Sequence, residues 1–215
     1  MNKNNKKIIY QFLFSCEYGL LSDVKRMYKL YNTMLHYEFG DGGTLFQHVC
    51  GGCASLDVIE YLIDCRFDIK PSVDTCLYKA CQNPNKNSLD LIKWLVEDHA
   101  ANVNKFVNNY YPLTYAVLNG DLEVVKYLVE HGANVMFDEN DNGWALRYAI
   151  IKNDKDILYY LLENGTIVFG GHCPTEMFVE DIIGILIHEA YRVHHTSLAE
   201  DLIATHKSII ENDLD

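Results

Sequence analysis

Apolar residues recur every three or four positions in paired short stretches along this chain, which is the spacing of amphipathic helices. In the clearest pair, Leu113 and Ala116 share one side of the first stretch, and Val125 and Leu128 share one side of the second. Neither stretch could bury its apolar side alone. The pattern therefore predicts pairs of short helices that pack against neighbouring pairs.

The same pair of stretches returns along the chain. The segment PLTYAVLNGDLEVVKYLVEHGANV is followed 33 residues later by ALRYAIIKNDKDILYYLLENGTI, with Leu146 for Leu113 and Leu161 for Leu128. Two upstream copies have Leu45 and Leu62, and Leu77 and Leu95, at the equivalent positions of the repeat, which we call slots. The N-terminal copy matches more weakly, with Gly19, Val24 and Met27. A repeat of this length indicates stacked units that share one continuous core.

Glycine and acidic residues mark the turns of each unit. Gly120 and Asp121 separate the two helices, and Gly132 or Gly165 stands where a helix end requires a left-handed backbone. Polar linkers such as residues 104–109 favour turns that project outward. Stacking of such units predicts an all-α solenoid.

The best copy resembles the ankyrin repeat, whose pattern is TPLHxAAxxGHxEVVKLLLxxGA. The first helices repeatedly lack the usual Thr-Pro and His, with Ala145 or Cys76 in the place of the proline. The resemblance implies an all-α ankyrin-repeat solenoid of stacked helix pairs with short hairpin loops and a helical C-terminal cap. The asparagine-rich composition and irregular insertions resemble the ankyrin proteins encoded by amoeba-infecting giant viruses.

The repeat spacing also predicts the domain organisation. Residues 1–171 are expected to form an ankyrin-repeat array of about five repeats. Its units are a degenerate N-terminal cap at 6–39 and repeats at 40–70, 71–106, 107–139 and 140–171. The pattern stops after Ile167, and two further apolar-periodic stretches follow, Glu176 to Val193 and Ser197 to Ile210. Residues 172–215 are therefore predicted to form a helical C-terminal cap.

Composition and charge narrow the range of partners. Hydrophobic residues make up 49% of the chain, which is too apolar for intrinsic disorder. The 30 acidic residues outnumber the 18 Lys and Arg, and the formal charge of -12 repels phosphate backbones and anionic lipids. We expect neither a nucleic-acid partner nor a membrane partner.

The N-terminus and the cysteines bear on location. Lys3, Lys6 and Lys7 before the apolar stretch IIYQFLF imitate a signal peptide, but no small-x-small cleavage site follows Cys16. The 7 cysteines are an odd number and do not resemble a secreted disulfide framework. An intracellular, cytoplasmic protein with reduced thiols is expected, in the host cytoplasm if the protein is viral.

The charge is distributed unevenly along the chain. Residues 1–30 carry six Lys and Arg against two acids, whereas residues 174–215 carry nine acids against Arg192 and Lys207. This asymmetry is compatible with steering of a partner, with head-to-tail self-association, or with a plain solvated surface.

Few residues suggest metal binding, redox chemistry or catalysis. Cys50, Cys53 and Cys81 form a candidate zinc or redox cluster, since cysteines two positions apart can bind one tetrahedral zinc. The competing interpretation is ordinary repeat core, because cysteine is often buried and a second CxxC is missing. The latter is preferred, so no metal, cofactor or enzymatic activity is predicted. His194 and His195 are interpreted as surface residues.

The ankyrin resemblance implies a non-enzymatic protein-protein interaction module that binds through the concave face and the hairpin tips. The exposed first-helix slots hold Gln47, Lys79, Tyr115, Leu118, Tyr148 and Ile151. The tips hold Phe106, Tyr110 and Phe137. For Tyr111 and Trp144, stacking between repeats is the preferred interpretation. The acidic surface predicts a protein partner with a basic or apolar patch.

Two other functions remain open. An adaptor that recruits a host protein to ubiquitin ligation machinery would suit a viral ankyrin protein, although residues 174–214 lack an F-box-like LPxE sequence. A zinc or thiol-redox protein would use the CGGC cluster instead.

Overall fold

The computed structural model describes residues 3–31, 45–52, 55–65, 73–83, 88–135, 144–165 and 179–212. Within these ranges the chain forms twelve α-helices and no β-strand. The chain divides into two compact units, Met1–Val107 and Asn108–Asp215. The all-α architecture of stacked helix pairs expected from the repeat pattern is confirmed.

The first unit consists of three helix pairs. Its helices are α1 (Lys3–Glu17), α2 (Leu21–Tyr31), α3 (Leu45–Gly52), α4 (Leu56–Asp64), α5 (Val73–Gln82) and α6 (Ser88–Glu97). The first helices stack in a row, because α1 packs against α3 and α3 packs against α5. The second helices lie behind them, with α2 against α1 and α4, and α6 against α5.

The second unit follows the same plan. Its helices are α7 (Pro112–Asn119), α8 (Leu122–Glu130), α9 (Trp144–Lys152), α10 (Lys155–Gly165), α11 (Val179–Arg192) and α12 (Thr196–Asn212). The first-helix row runs from α7 through α9 to α11, and α8, α10 and α12 each pack against the first helix of their pair. The two C-terminal helices thus continue the stack and correspond to the two apolar stretches after the last repeat.

Local sequence explains the helix ends. Pro112 opens α7, where its fixed φ suits the first turn and no amide hydrogen is required. Gly120 closes α7 in the left-handed region at φ +70°, and the carboxylate of Asp121 then accepts a hydrogen bond from the backbone of Val124. One repeat later, Asn153 at φ +55° occupies the slot of Gly120. Asparagine tolerates this region better than most residues.

The leucine slots of the repeat form the core. In both units these side chains are almost completely buried, at Leu45, Leu62, Leu77, Leu95, Leu113, Leu128, Leu146 and Leu161. The prediction that the helix pairs bury their apolar sides against neighbouring pairs is confirmed within each of the two units.

Three polar links join the C-terminal helix pair to α9 and α10. The Lys155 ammonium forms an ion pair with Asp201 on α12, and Arg147 on α9 lies 3.5 Å from a carboxylate oxygen of Glu189 on α11. His195, in the turn before α12, places its Nε2 3.2 Å from the backbone oxygen of Ile151. Of the two histidines interpreted as surface residues, His194 is exposed and His195 is half-buried.

No helix in the ranges described above has both the length and the apolar character needed to cross a bilayer.

Ala100 lies in the position with a left-handed backbone that follows the second helix of a repeat, here α6, and a substitution there tests the backbone strain. It has φ +54°, and Gly132 holds the same slot in the next repeat at φ +85°. Because a Cβ costs about 1–2 kcal/mol in this region, we expect Ala100→Gly to raise the free energy of unfolding by about 0.5–1 kcal/mol after the loss of chain entropy. Urea unfolding followed by circular dichroism measures this change.

The matched reverse substitution is Gly132→Ala. A Cβ built at Gly132 meets no atom within 4 Å, so only backbone strain acts there, and the variant should be less stable by about 1 kcal/mol. If both substitutions changed the free energy of unfolding in the same direction, the assignment of backbone strain to Ala100 would be contradicted.

Candidate functional site

The first unit carries two of the predicted binding residues on adjacent first helices. Gln47 on α3 and Lys79 on α5 are both half-buried. The stem of Lys79 lies against Gly51, where an added Cβ would come within 3.3 Å of the Lys79 Cβ and Cδ. The absence of a side chain at Gly51 thus allows Lys79 to lie flat between α3 and α5.

The second unit brings three predicted tyrosines into one cluster. The hydroxyls of Tyr110 and Tyr148 are 3.2 Å apart, and one donates a hydrogen bond to the other. The Tyr110 ring packs edge-on against Tyr115, with centroids 5.4 Å apart, and its centroid lies 6.2 Å from that of Tyr148. We call Tyr110, Tyr115 and Tyr148 the tyrosine cluster.

The repeat explains how these rings meet. Tyr115 and Tyr148 are 33 positions apart and therefore occupy the same slot on α7 and α9, which pack side by side. Asn108 and Asn109, with φ of +51° and +69°, turn the chain immediately before Tyr110. Consecutive positive φ values are typical of tight hairpin turns, where asparagine is favoured. This turn places Tyr110 against the two helical tyrosines.

The other predicted residues differ in their surroundings. Leu118 and Ile151 are half-buried one turn after the helical tyrosines, Phe106 is exposed, and Tyr111 is buried. Phe137 and the side chain of Trp144 lie outside the described residues. The structure thus brings Tyr110, Tyr115 and Tyr148 together.

Glu189, one of the nine acidic residues of the C-terminal stretch, is buried, with 5% of its surface exposed. Arg192 donates two hydrogen bonds to its carboxylate, at 2.6 and 2.8 Å, and Arg147 contacts it from α9. The hydrogen bonds from Arg192 lower the pKa of Glu189 despite the opposing effect of burial. The only sequence signal for this role was Arg192, one helical turn away.

Two tyrosines of the first unit have raised pKa values. The Tyr28 hydroxyl donates a hydrogen bond to the backbone oxygen of Cys65 at 2.9 Å. Burial, followed by the hydrogen bond with the Cys65 side chain, raises the pKa of Tyr61 to about 12. Both phenols therefore stay protonated at neutral pH, and the hydrogen bond from Tyr28 joins α2 to the end of α4.

The candidate cysteine cluster is only partly within the described residues. Cys50 and Cys81 are reduced and buried in the first unit, on the packed helices α3 and α5, whereas Cys53 lies outside the described ranges. Among the side chains that the structure describes, no group of three or more His, Cys, Asp or Glu residues is placed to hold a metal ion.

Comparison with known families identifies the repeat. Residues 84–169 match the family model described as ankyrin repeats (3 copies). This segment of the chain is similar to ankyrin repeats. The matched range includes the whole of α7 to α10, and with them the tyrosine cluster, Leu118 and Ile151. A comparison with curated proteins found no match. Ankyrin repeats are typically non-enzymatic modules for protein-protein interaction, which gives the functional class of the matched segment.

Proposed function

We propose that this ankyrin-repeat chain is a non-enzymatic module that binds a protein partner through the exposed side of its first helices and its hairpin tips. We call this surface the first-helix face. The name covers one patch in each unit, taken separately: Gln47, Lys79 and Phe106 in the first unit, and Tyr110, Tyr115, Leu118, Tyr148 and Ile151 in the second, with Phe137 as a sequence-based member. The tyrosine cluster is the observation that supports it most.

The cluster has the physical properties of an interface anchor. Tyrosine offers a large contact area with only two side-chain torsions, and it is enriched among the residues that contribute most to binding. The hydrogen bond between Tyr110 and Tyr148 and the edge-on contact with Tyr115 hold the rings in place before a partner arrives. A pre-ordered cluster loses little conformational entropy on binding.

Charge defines the chemistry of the partner. The formal charge of -12 favours a partner with a basic or apolar patch, and it disfavours nucleic acid and anionic membranes. Association should therefore slow at high salt if a basic patch is involved. A cytoplasmic location, in a host cell if the protein is viral, agrees with the expected reduced thiols.

A pair of variants tests the face. The Tyr115→Ala, Tyr148→Ala double variant removes two rings of the cluster, and Tyr191→Ala removes one exposed tyrosine from α11 as the control. In affinity capture from a eukaryotic lysate, we expect partner proteins to be retained by the native chain and by Tyr191→Ala. Retention by the double variant should fall about tenfold or more. Circular dichroism checks that all three chains are folded.

The proposal fails if the double variant retains the same proteins as the native chain. The same capture addresses the adaptor alternative, which requires subunits of ubiquitin ligases among the retained proteins. The zinc alternative requires one equivalent of tightly bound zinc by elemental analysis. Self-association requires a mass that rises with concentration in light scattering and falls with salt.

A further inference from the structure

Exposed apolar side chains are concentrated in the first helix pair. Within the described part of the chain, seven large hydrophobic residues are exposed, and five of them lie on α1, on α2 or in the turn between them: Tyr10, Phe14, Tyr18, Leu20 and Leu30. Contiguous exposed apolar surface is uncommon on a soluble protein and commonly marks an interaction site.

Four of these five residues, all except Tyr18, line a groove. The groove between α1 and α2 has a volume of about 910 Å³. Its apolar walls include Tyr10, Phe14, Leu20 and Leu30, Ser15 and Met27 form its buried floor, and Lys6, Lys7 and Arg26 lie along its rim. We call this the α1–α2 groove.

The groove lies on a different side of α1 from the repeat core. Ile9, Phe12 and Cys16 are buried, at the three- and four-residue spacing of one helix face, and α1 packs against α3. Tyr10 and Phe14 follow their own four-residue spacing and are 66% and 54% exposed. The helix therefore has two apolar stripes, of which the repeat core uses one.

The charge around the groove is opposite to that of the whole chain. Lys6 and Lys7 are exposed, and in the described part of the chain no ion pair engages either ammonium. Arg26 forms an ion pair with Asp23 at 2.9 Å, so the net positive charge of the rim comes from the two lysines. The chain as a whole carries a formal charge of -12, so this basic rim has the opposite sign to the net charge and attracts anionic groups.

We propose that the α1–α2 groove binds an acidic amphipathic helix of a protein partner, independently of the first-helix face. Two neighbouring helices with apolar residues along their gap can receive the apolar stripe of a third helix, with contacts at positions i, i+3 or i+4, and i+7. Acidic residues beside that stripe would face Lys6 and Lys7. An anionic membrane fits less well, because the apolar residues line a concavity and the net charge repels it.

Peptide display on the full chain tests the chemistry of the occupant without assuming its identity. Peptides of about 16 residues from a random library are selected for binding to the native chain, and those that also bind the Leu30→Glu variant are removed. Leu30 is 65% exposed, so this variant should keep the native melting temperature. We expect enriched sequences with helical apolar spacing and an excess of Asp and Glu. Enrichment of basic sequences, or none that distinguishes the two chains, overturns the proposal.

The most enriched peptide, labelled with fluorescein, is then titrated by anisotropy. Lys6→Glu with Lys7→Glu should weaken its binding about tenfold, and so should an increase to about 0.5 M salt. Tyr191→Glu, on an exposed tyrosine outside the groove, and the Tyr115→Ala, Tyr148→Ala variant should bind like the native chain. Loss of binding in the tyrosine variant would place the peptide on the first-helix face and overturn the proposal.

Two further measurements separate other occupants. Sedimentation of the native chain with phosphatidylserine vesicles, abolished in Leu30→Glu, would make the groove a lipid site and overturn the proposal. A mass that rises with concentration in light scattering, and does not rise for Leu30→Glu, would make a second copy the occupant and overturn it as well. Absence of both effects, together with the selected acidic peptide, supports the partner helix.

Discussion

Leu128→Ala is expected to lower the free energy of unfolding by about 3 kcal/mol, because it leaves a cavity at a fully buried position. Leu128 lies on α8, which packs against α7 and α10, and it fills the slot that Leu161 fills one repeat later. Urea unfolding followed by circular dichroism, with the denaturant slope compared between variants, measures the loss.

Leu118→Ala is the matched control for this substitution. The chemical change is the same, but Leu118 is half-buried on the first-helix face, so we expect a loss below about 1 kcal/mol. Similar losses for the two leucines would contradict the division between core slots and face slots. The two variants also distinguish a loss of stability from a loss of partner binding. Among folded chains, Leu118→Ala should reduce the retention of partner proteins more than Leu128→Ala does.

Glu189→Gln is expected to destabilise the second unit by about 2 kcal/mol. The substitution keeps the shape of the side chain but removes the charge that Arg192 and Arg147 bind. The loss should be smaller than for a fully buried pair, because both arginines retain contact with solvent. Glu200→Gln, at an exposed acid on α12, is the control and should change stability little.

The Glu189→Gln variant also allows the pH dependence of the stabilising contribution of Glu189 to be measured. The pKa of Glu189 is lowered in the folded state, so the unfolded chain binds the proton more readily. Its stabilising contribution is present above the ordinary carboxyl pKa and is lost as the pH falls through the lower, folded value. The difference in unfolding free energy between the native chain and Glu189→Gln should therefore shrink from pH 7 towards acid. A difference that stays constant or grows would contradict this account.

Much of the fold could be predicted from one sequence, because the period of 33 residues assigns each position a slot. Leu113 and Leu146 share a slot and share burial, and Gly120 and Asn153 share both a slot and a left-handed backbone. The charge pattern was less informative. Glu189 belongs to an acidic stretch by composition, and only the packing of α9 against α11 reveals its contact with Arg147.

The candidate site was partly predictable for the same reason. Equal slots predict that Tyr115 and Tyr148 are neighbours, and the structure places them on packed helices. The contact of Tyr110 with both depends on the turn at Asn108 and Asn109, which no period describes. The α1–α2 groove was not predicted either, since the hydrophobic pattern of α1 does not say which of its two apolar stripes a neighbour covers.

The links from Arg147, Ile151 and Lys155 to the last helix pair have a kinetic consequence. They cross from the final matched repeat to α11, to α12 and to the turn between these helices, so opening of the C-terminal pair breaks all three together. Local fraying from that end therefore carries a larger barrier than apolar packing alone would set. The backbone amides of α9, which carries Tyr148, should exchange their hydrogens with solvent mainly in the same rare events that release α11. In the time between these opening events, the tyrosine cluster keeps its geometry.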